Sequence, residues 1–230
     1  MWTAFLLIPG AYLLGSVPHL PLLAKLRHVE LDGDFHQELF KRAGRTIGVI
    51  GVVGEFIKGA LPVLVGKALG LNIAVVAGAG LAAVIGQMWP VFMKFDGEKG
   101  NSIALAMVTA LAPVAGLIGF ITVIIALIIR IIPRVIDKAR RAGEKPLFGG
   151  QYSRSLPLGM AIGFIIMPAA AWYFGEPRET VWCGLAVFVL IMIRRVTAGL
   201  RDDLKTGDDV KAILARRLLY DRATMEWRQG

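Results

Sequence analysis

The sequence predicts an all-α, polytopic integral membrane protein, and two observations lead to this prediction. Hydrophobic residues make up 56% of the 230 residues, more than a soluble domain of this length would bury. Most of them fall in long runs without Lys, Arg, Asp or Glu, and a helix needs roughly 20 apolar residues to cross a hydrocarbon core of about 30 Å. The uncharged runs are Met1–Ala24, Ala68–Met93, Asn101–Ile129, Ser155–Gly175 and Thr180–Ile193.

These runs and their neighbours predict about seven membrane segments. The first segment is expected to stay in the protein, because no basic residue precedes it and no small-residue cleavage site follows it. The lone cysteine, Cys183, lies in an apolar run, so neither an internal disulfide nor a thiolate metal cluster is expected. The predicted segments are 3–25, 46–67, 71–93, 101–112, 114–132, 155–174 and 180–194.

One uncharged run is too long for one comfortable crossing and too short for two. As a single helix, Asn101–Ile129 would be about 43 Å long. Pro113 stands where a break is needed, because proline removes a backbone donor and clashes with the preceding turn. We therefore expect a short helix followed by a full one. The alternative is one tilted helix at 102–132, which would place a strongly basic loop outside.

Basic residues are unevenly distributed among the loops, and this asymmetry predicts orientation because Lys and Arg accumulate on the cytoplasmic side. Two turns, at 67–71 and 175–179, hold one basic residue each. The basic regions hold five in 24–45, two in 94–100, seven in 130–154 and nine after Ile193. We therefore expect the N-terminus outside and the C-terminus in the cytoplasm.

The chain is expected to divide into a membrane domain and a tail. Residues 1–198 form the membrane domain, with a basic cytoplasmic insertion at 134–151, and residues 199–230 form a cytoplasmic amphipathic tail. In the tail, Asp208 or Asp209 can cap a helix whose apolar residues recur at helical spacing among basic neighbours. We expect this helix to lie on the inner membrane surface, attracted by anionic lipid.

Two charged residues fall in the interior of the second predicted span, away from its ends. Glu55 and Lys58 are three residues apart, so they share one helix face and can neutralise each other where a lone charge would be costly. An ionisable residue within the membrane is a candidate functional residue, yet a self-neutralising pair is often structural. Both interpretations stay open.

The polar loop at 94–101 separates two apolar runs, and its residues are suited to binding an anion. Gly97 and Gly100 can adopt positive φ and present backbone N–H groups, while Lys99 supplies positive charge. Asn101 and Ser102 then stand at a helix N-terminus, where partial positive charge favours phosphate. The pattern itself is also compatible with an ordinary solvated turn.

Several motifs along residues 1 to about 209 resemble, in the right order, those of the bacterial acyl-phosphate:glycerol-3-phosphate acyltransferases of the PlsY type. The family's central signature, Gly-His-x-x-Pro-Val-Phe followed by Gly-Gly-Lys-Gly, is similar to the stretch from Gly86 to Gly100. The other matching strings are Tyr12-Leu-Leu-Gly15-Ser-Val-Pro18, Glu55-Phe-Ile-Lys58-Gly59 and Leu204-Lys-Thr-Gly207-Asp.

The resemblance implies a multi-pass enzyme of the bacterial plasma membrane with seven helices. Its implied reaction transfers a fatty acyl group from acyl phosphate to glycerol 3-phosphate, giving lysophosphatidic acid for phospholipid biosynthesis. The expected partners are these two substrates and membrane lipids. No cofactor, metal or nucleic acid is expected. Among site residues, the resemblance implies phosphate binding by Gly97, Lys99 and Gly100, with Lys99 also serving catalysis, and a catalytic role for Ser155, which can equally be a helix cap.

The chain also departs from the family pattern. The first cytoplasmic loop lacks the family's glycine-serine-asparagine motif, Gln87 replaces a histidine, and Glu98 replaces a glycine, adding negative charge where a phosphate should sit. Arg194 and Arg195 stand in place of an Arg-His pair and are expected to contact phosphate. His36, in the altered loop, is a candidate general base, although a loop histidine is more often only solvated.

Three hypotheses for function therefore follow. The first is a divergent acyltransferase, possessing the family's activity or using a related donor and acceptor. The second is a catalytically degenerate homologue that binds lipid or phosphate as a regulatory membrane subunit. The third is a small transporter in which Glu55 and Lys58 line a path.

Overall fold

A computed structural model of the protein describes residues 2–31, 35–136, 155–206 and 209–222, and every regular element among them is helical. Single turns of 3₁₀-helix occur at Val91–Met93 and Leu204–Thr206, and a π-helical turn at Leu39–Ala43 continues the short third helix. The α-helices are α1 Trp2–Ser16, α2 His19–Leu26, α3 Phe35–Glu38, α4 Arg45–Ala68, α5 Ile73–Met88, α6 Asn101–Leu111, α7 Pro113–Ile136, α8 Ser155–Tyr173, α9 Arg178–Thr197, α10 Leu200–Asp203 and α11 Val210–Tyr220.

Six helical stretches of the described residues are long and apolar enough to cross a membrane, and α6 is a shorter apolar helix. Five of them agree with predicted segments to within two residues, and the last continues nine residues beyond the predicted end at 194. The stretches confirm an all-α, polytopic membrane architecture. The total of seven and the orientation of the termini stay predictions. The six stretches are Phe5–Leu26, Arg45–Ala68, Ile73–Met93, Pro113–Ile132, Ser155–Tyr173 and Arg178–Asp203.

The long apolar run breaks as expected between α6 and α7, so the alternative of one tilted helix is wrong. Ala112 leaves helical geometry, with φ −132° and ψ 86°, and α7 starts at Pro113. After the break α7 packs closely against α6. A Cβ built on Gly116 would lie only 2.4 Å from the Cα of Thr109, so glycine is required at this contact. The carbonyls of Ala110 and Leu111 at the end of α6 accept hydrogen bonds from the Lys67 ammonium at 2.8 and 2.7 Å.

Small residues let the helices approach closely in the interior, as is typical of membrane helix packing. A Cβ on Gly15 would lie 2.1 Å from the Ala83 carbonyl oxygen, where α1 crosses α5. A Cβ on Gly59 would lie 2.1 Å from the Ile103 carbonyl oxygen, where α4 crosses α6. Many other large apolar side chains point outward, as lipid-facing residues do. Ile57, Leu117 and Trp182 are 54%, 57% and 68% exposed.

The tail helix α11 forms as predicted but packs partly on the protein. Asp209 caps it by accepting a hydrogen bond from the Lys211 amide. Ile213 and Arg217 of this helix are buried, so one side of α11 packs against the bundle. Within the predicted insertion, 137–151 lie outside the described residues, as do 223–230 of the tail and 207–208, which include the alternative cap Asp208. The division into a domain and a tail stays a prediction.

The α4–α6 crossing should be intolerant of any side chain at Gly59. We expect Gly59→Ala to lower stability by about 1–3 kcal/mol, since overpacking forces the two helices apart. The change would appear as a lower apparent unfolding temperature in detergent micelles. Gly78→Ala is the matched control, because its Cβ would meet only the Ile8 side chain at 3.6 Å. Equal unfolding temperatures for the two variants would contradict this packing.

Candidate active site

The loop between α5 and α6 folds back onto the end of α5. The Gly97 amide donates to the Met88 carbonyl at 3.2 Å, and the Glu98 amide donates to the Gln87 carbonyl at 3.1 Å. A Cβ on Gly97 would lie 2.2 Å from the Gln87 oxygen, so this glycine permits close packing. In this structure the Met88 carbonyl accepts the Gly97 N–H, and phosphate binding by this glycine stays a prediction.

Arg194 holds this loop in place. Its Nη2 donates to Asp96 Oδ1 and to the Gly97 carbonyl, each at 2.6 Å, and its Nε donates to the Glu98 carbonyl at 3.4 Å. The guanidinium also lies 5.9 Å from the ring centroid of Trp89, within cation–π range. We expected this arginine to contact phosphate, but its Nε and Nη2 donors are engaged by the loop itself.

Arg195, the next residue, has a different environment. Its side chain is fully buried, and its three guanidinium nitrogens find no hydrogen-bond acceptor among the described residues. The nearest opposite charge is Asp221 Oδ1, 3.9 Å from Nε. Arg195 lines a cavity of about 120 Å³ together with Asn101 and Asp221. A buried guanidinium without acceptors is costly, so this cavity is suited to an anion.

The N-terminus of α6 opens at the same cavity. Gly100 precedes the helix with φ 73°, a left-handed conformation that favours glycine, and no described side chain caps the helix. The Asn101 side-chain oxygen is buried without a partner among the described contacts. The first N–H groups of a helix lack intrahelical acceptors and carry partial positive charge. The site therefore combines a helix N-terminus with Arg195, as phosphate sites commonly do.

Lys99 stands at the edge of this site and already has an anionic partner. Its ammonium donates to the Asp221 main-chain oxygen at 2.7 Å and lies 3.0 Å from Asp221 Oδ2. The Ser155 hydroxyl, at the start of α8, donates to the Ala126 carbonyl at 3.0 Å. Its neighbours Leu156 and Pro157 line the cavity. The predicted roles of Lys99 and Ser155 stay predictions.

Glu55 and Lys58 are both buried, but a third residue connects them. No direct ion pair joins them within the described part of the chain. Instead the Gln87 amide nitrogen donates to Glu55 Oε1 at 2.9 Å, and the Gln87 oxygen accepts from the Lys58 ammonium. Lys58 also donates to the Val17 carbonyl at 2.9 Å, at the break between α1 and α2. The expected direct pairing is thus replaced by a glutamine bridge.

His36 approaches this network from the first loop. Its Nε2 lies 2.9 Å from Glu55 Oε2 and 3.7 Å from Glu98 Oε2. Glu98 turns toward His36 and Gln87, whose amide donates to it at 3.1 Å. Glu98 thus belongs to the network of His36 and Gln87, and its expected effect on phosphate binding stays a prediction. Burial and the nearby Glu55 carboxylate raise the pKa of Glu98, and His36 opposes that rise.

The ligand atoms of His36, Glu55 and Glu98 lie within 4.8 Å of one another, a donor set that could hold a divalent cation. The protein's own groups already contact these atoms. Gln87 donates to one oxygen of each carboxylate, and His36 lies beside the other. Lys58 adds a positive charge to the network through its bond to Gln87.

The two polar groups are neighbours around the start of α6. Gln37, next to His36, lines the cavity with Asn101. Ser102, which follows Asn101 in α6, lies beside the Glu55 carboxylate. Sequence reasoning missed Gln87 as a bridge, although its replacement of a family histidine marked the position. It also missed Asp221, which no motif marks.

Comparison with known proteins places the chain among membrane acyltransferases. Residues 5–137 match the family model described as glycerol-3-phosphate acyltransferase. A protein of that name from Geobacter metallireducens is 42% identical over 51% of this chain and 63% of its own length. The matched regions cover 62–64% of the length of the Geobacter metallireducens protein and of two further relatives of the same name, so the chain spans less than two thirds of each.

Two solved structures share the fold. Both are crystal structures of PlsY (YgiH), an integral membrane glycerol 3-phosphate acyltransferase, in its lysophosphatidic acid and glycerol 3-phosphate forms. Each has a TM-score of 0.68 and covers 89% of this chain and 93% of its own, at 28% and 26% identity. With more than half of its length matched by the family model, the chain belongs to the glycerol-3-phosphate acyltransferase family.

Proposed function

We propose that the protein transfers a fatty acyl group from acyl phosphate to glycerol 3-phosphate, forming lysophosphatidic acid at a bacterial plasma membrane. The observation that supports this most is the buried Arg195, whose guanidinium lines a cavity at the uncapped N-terminus of α6. Both substrates carry phosphate, which suits such a site. The solved relatives named for glycerol 3-phosphate support the choice of acceptor.

The chemistry needs positioning and charge stabilisation more than a cofactor. The 1-hydroxyl oxygen of glycerol 3-phosphate attacks the acyl carbonyl carbon, a new ester C–O bond forms, and the anhydride C–O bond to phosphate breaks. The leaving phosphate takes the bonding electron pair, so negative charge develops on it. Arg195, Lys99 and the first N–H groups of α6 stabilise that charge.

The proton of the attacking hydroxyl needs an acceptor, and His36 is the proposed base. Glu55, 2.9 Å from His36 Nε2, fixes the imidazole and stabilises its protonated form. Gln87 in turn holds the Glu55 carboxylate. These three residues replace the altered loop motif and the histidine of the family pattern.

The other two hypotheses differ from this proposal in measurable ways. A degenerate homologue would bind phosphate at the same cavity without turnover. A transporter would need a path along Glu55 and Lys58, and Gln87 hydrogen-bonds to both of these side chains. This bridge favours a fixed network over a path, so we retain acyl transfer as the conclusion.

The activity is tested with full-length protein in micelles, palmitoyl phosphate and glycerol 3-phosphate. We expect acceptor-dependent release of inorganic phosphate together with lysophosphatidic acid. Arg195→Met keeps side-chain length but removes the charge, and we expect it to lower kcat/KM at least about tenfold, as for loss of a charge-assisted hydrogen bond. Arg201→Met changes an exposed arginine and is the matched control. Release no higher in the wild type than in Arg195→Met or Lys99→Ala would overturn the proposal.

The base is tested separately from phosphate binding. We expect His36→Asn to lower kcat by about 10²-fold or more while KM changes little, because general base catalysis acts on the chemical step. His28→Asn is the matched control, since His28 lies exposed in a turn with φ 53°, a conformation asparagine tolerates. An unchanged kcat in His36→Asn would remove His36 from the mechanism.

The raised pKa of Glu98 predicts a pH-dependent stability. The folded protein holds this proton more tightly than the unfolded chain, whose glutamate has a pKa near 4.5. The contribution to stability is therefore full below that value and is lost as pH rises toward the folded-state pKa. We expect Glu98→Gln to raise the apparent unfolding temperature by about 2–4 °C at pH 8, near 1 kcal/mol, with little gain at pH 4.

The control for this experiment is Glu30→Gln, which changes an exposed loop carboxylate. Its unfolding temperature should follow that of the wild type at both pH values. If Glu98→Gln destabilises the protein at pH 8, the Glu98 carboxylate contributes favourably as a charged partner of His36, contrary to this prediction.

A further inference from the structure

A carboxylate of the same chain lies where the proposed site should bind an anion. Asp221 contacts the Lys99 ammonium through both its main-chain oxygen and its side chain, at 2.7 and 3.0 Å. Its other carboxylate oxygen lies 3.9 Å from Nε of the buried Arg195. The Asp221 side chain is only 12% exposed and lines the cavity. One carboxylate therefore faces both cations assigned to phosphate.

The tail holds this carboxylate in place through Arg217. Nε of this buried arginine donates to Asp203 at 2.8 Å, and Nη2 makes a second bond to the same oxygen. Its Nη1 donates to the main-chain oxygens of Arg195, Val196 and Ala198, at 3.2, 3.1 and 2.6 Å. The C-terminal end of α9 and the tail helix are thereby joined, and Asp221 directly follows that helix.

We propose that Asp221 competes with substrate phosphate for Lys99 and Arg195. This inference rests on the proposed assignment of an anion site to these two residues. A carboxylate and a phosphate both present anionic oxygens to a cation, and Lys99 cannot direct the same N–H groups to both. Phosphate binding at Lys99 therefore requires Asp221 to withdraw. The tail thus regulates access to the site.

The energetics allow this exchange. The Lys99 side chain is 34% exposed, and partly exposed ion pairs contribute about 1 kcal/mol or less. A phosphate offers more oxygens and more charge, and it can also satisfy the Arg195 nitrogens, which Asp221 leaves without a hydrogen bond. Only the residue after α11 has to move, so the Arg217 contacts can persist.

The test measures binding of inorganic phosphate to full-length protein in micelles by titration calorimetry. We expect Asp221→Asn to lower the Kd for inorganic phosphate about fivefold, because this factor corresponds to the free energy of a partly exposed ion pair. Asparagine tolerates the φ of 62° at this position, so the backbone should be retained. Asp221→Gly removes the whole side chain from a helix end that suits glycine, and we expect the same tighter binding.

Two controls make the result specific. Asp202→Asn removes an exposed carboxylate paired with Lys205 and should leave the Kd unchanged. Adding Lys99→Ala to Asp221→Asn should abolish the gain. An unchanged or weaker affinity in both folded Asp221 variants would overturn the inference, as would a gain that survives loss of Lys99. Tighter phosphate binding without acyl transfer would overturn the proposed function and leave the role of Asp221 intact.

Discussion

A buried lysine that must be hydrogen-bonded within the bundle determines the arrangement of the site. Lys58 lies between membrane helices, where an unsatisfied ammonium would be costly. It donates to the Val17 carbonyl, which the break between α1 and α2 makes available, and to Gln87 at the end of α5. Gln87 then directs its amide nitrogen toward Glu55 and Glu98. One cation thereby positions two helix ends and the loop that follows α5.

The loop between α5 and α6 is hydrogen-bonded on two sides, which explains why its amide N–H groups are not directed toward the cavity. Gln87 and Met88 accept its amides from one side, and Arg194 donates to its carbonyls from the other. Among the described residues near the loop, the groups that stay available to an anion are the first N–H groups of α6 and the Arg195 guanidinium. In the proposed function, the phosphate site therefore lies beside Arg195 and the start of α6 rather than on the glycine loop.

Much of the fold could be predicted because membrane spans follow from run length and a proline break follows from local geometry. The site was harder, since it depends on side-chain direction. Arg194 and Arg195 are adjacent, yet successive helical residues point about 100° apart, so one meets the loop and the other the cavity. Likewise, the sequence pattern did not show that Glu98 contacts His36 and Gln87. Asp221 is 122 residues from Lys99, a separation no local pattern bridges.

The short helix α6 has a further consequence. Eleven residues are too few for a helix to be stable alone, so α6 depends on packing against its neighbours and on how its ends are satisfied. Lys67 satisfies the carbonyl end, while the amide end faces the cavity. An anion bound at the amide end would interact favourably with the helix dipole and accept hydrogen bonds from the first N–H groups. An anion bound at this end would therefore stabilise a helix that is already packed and satisfied at its other end, so anion binding and the stability of α6 are coupled.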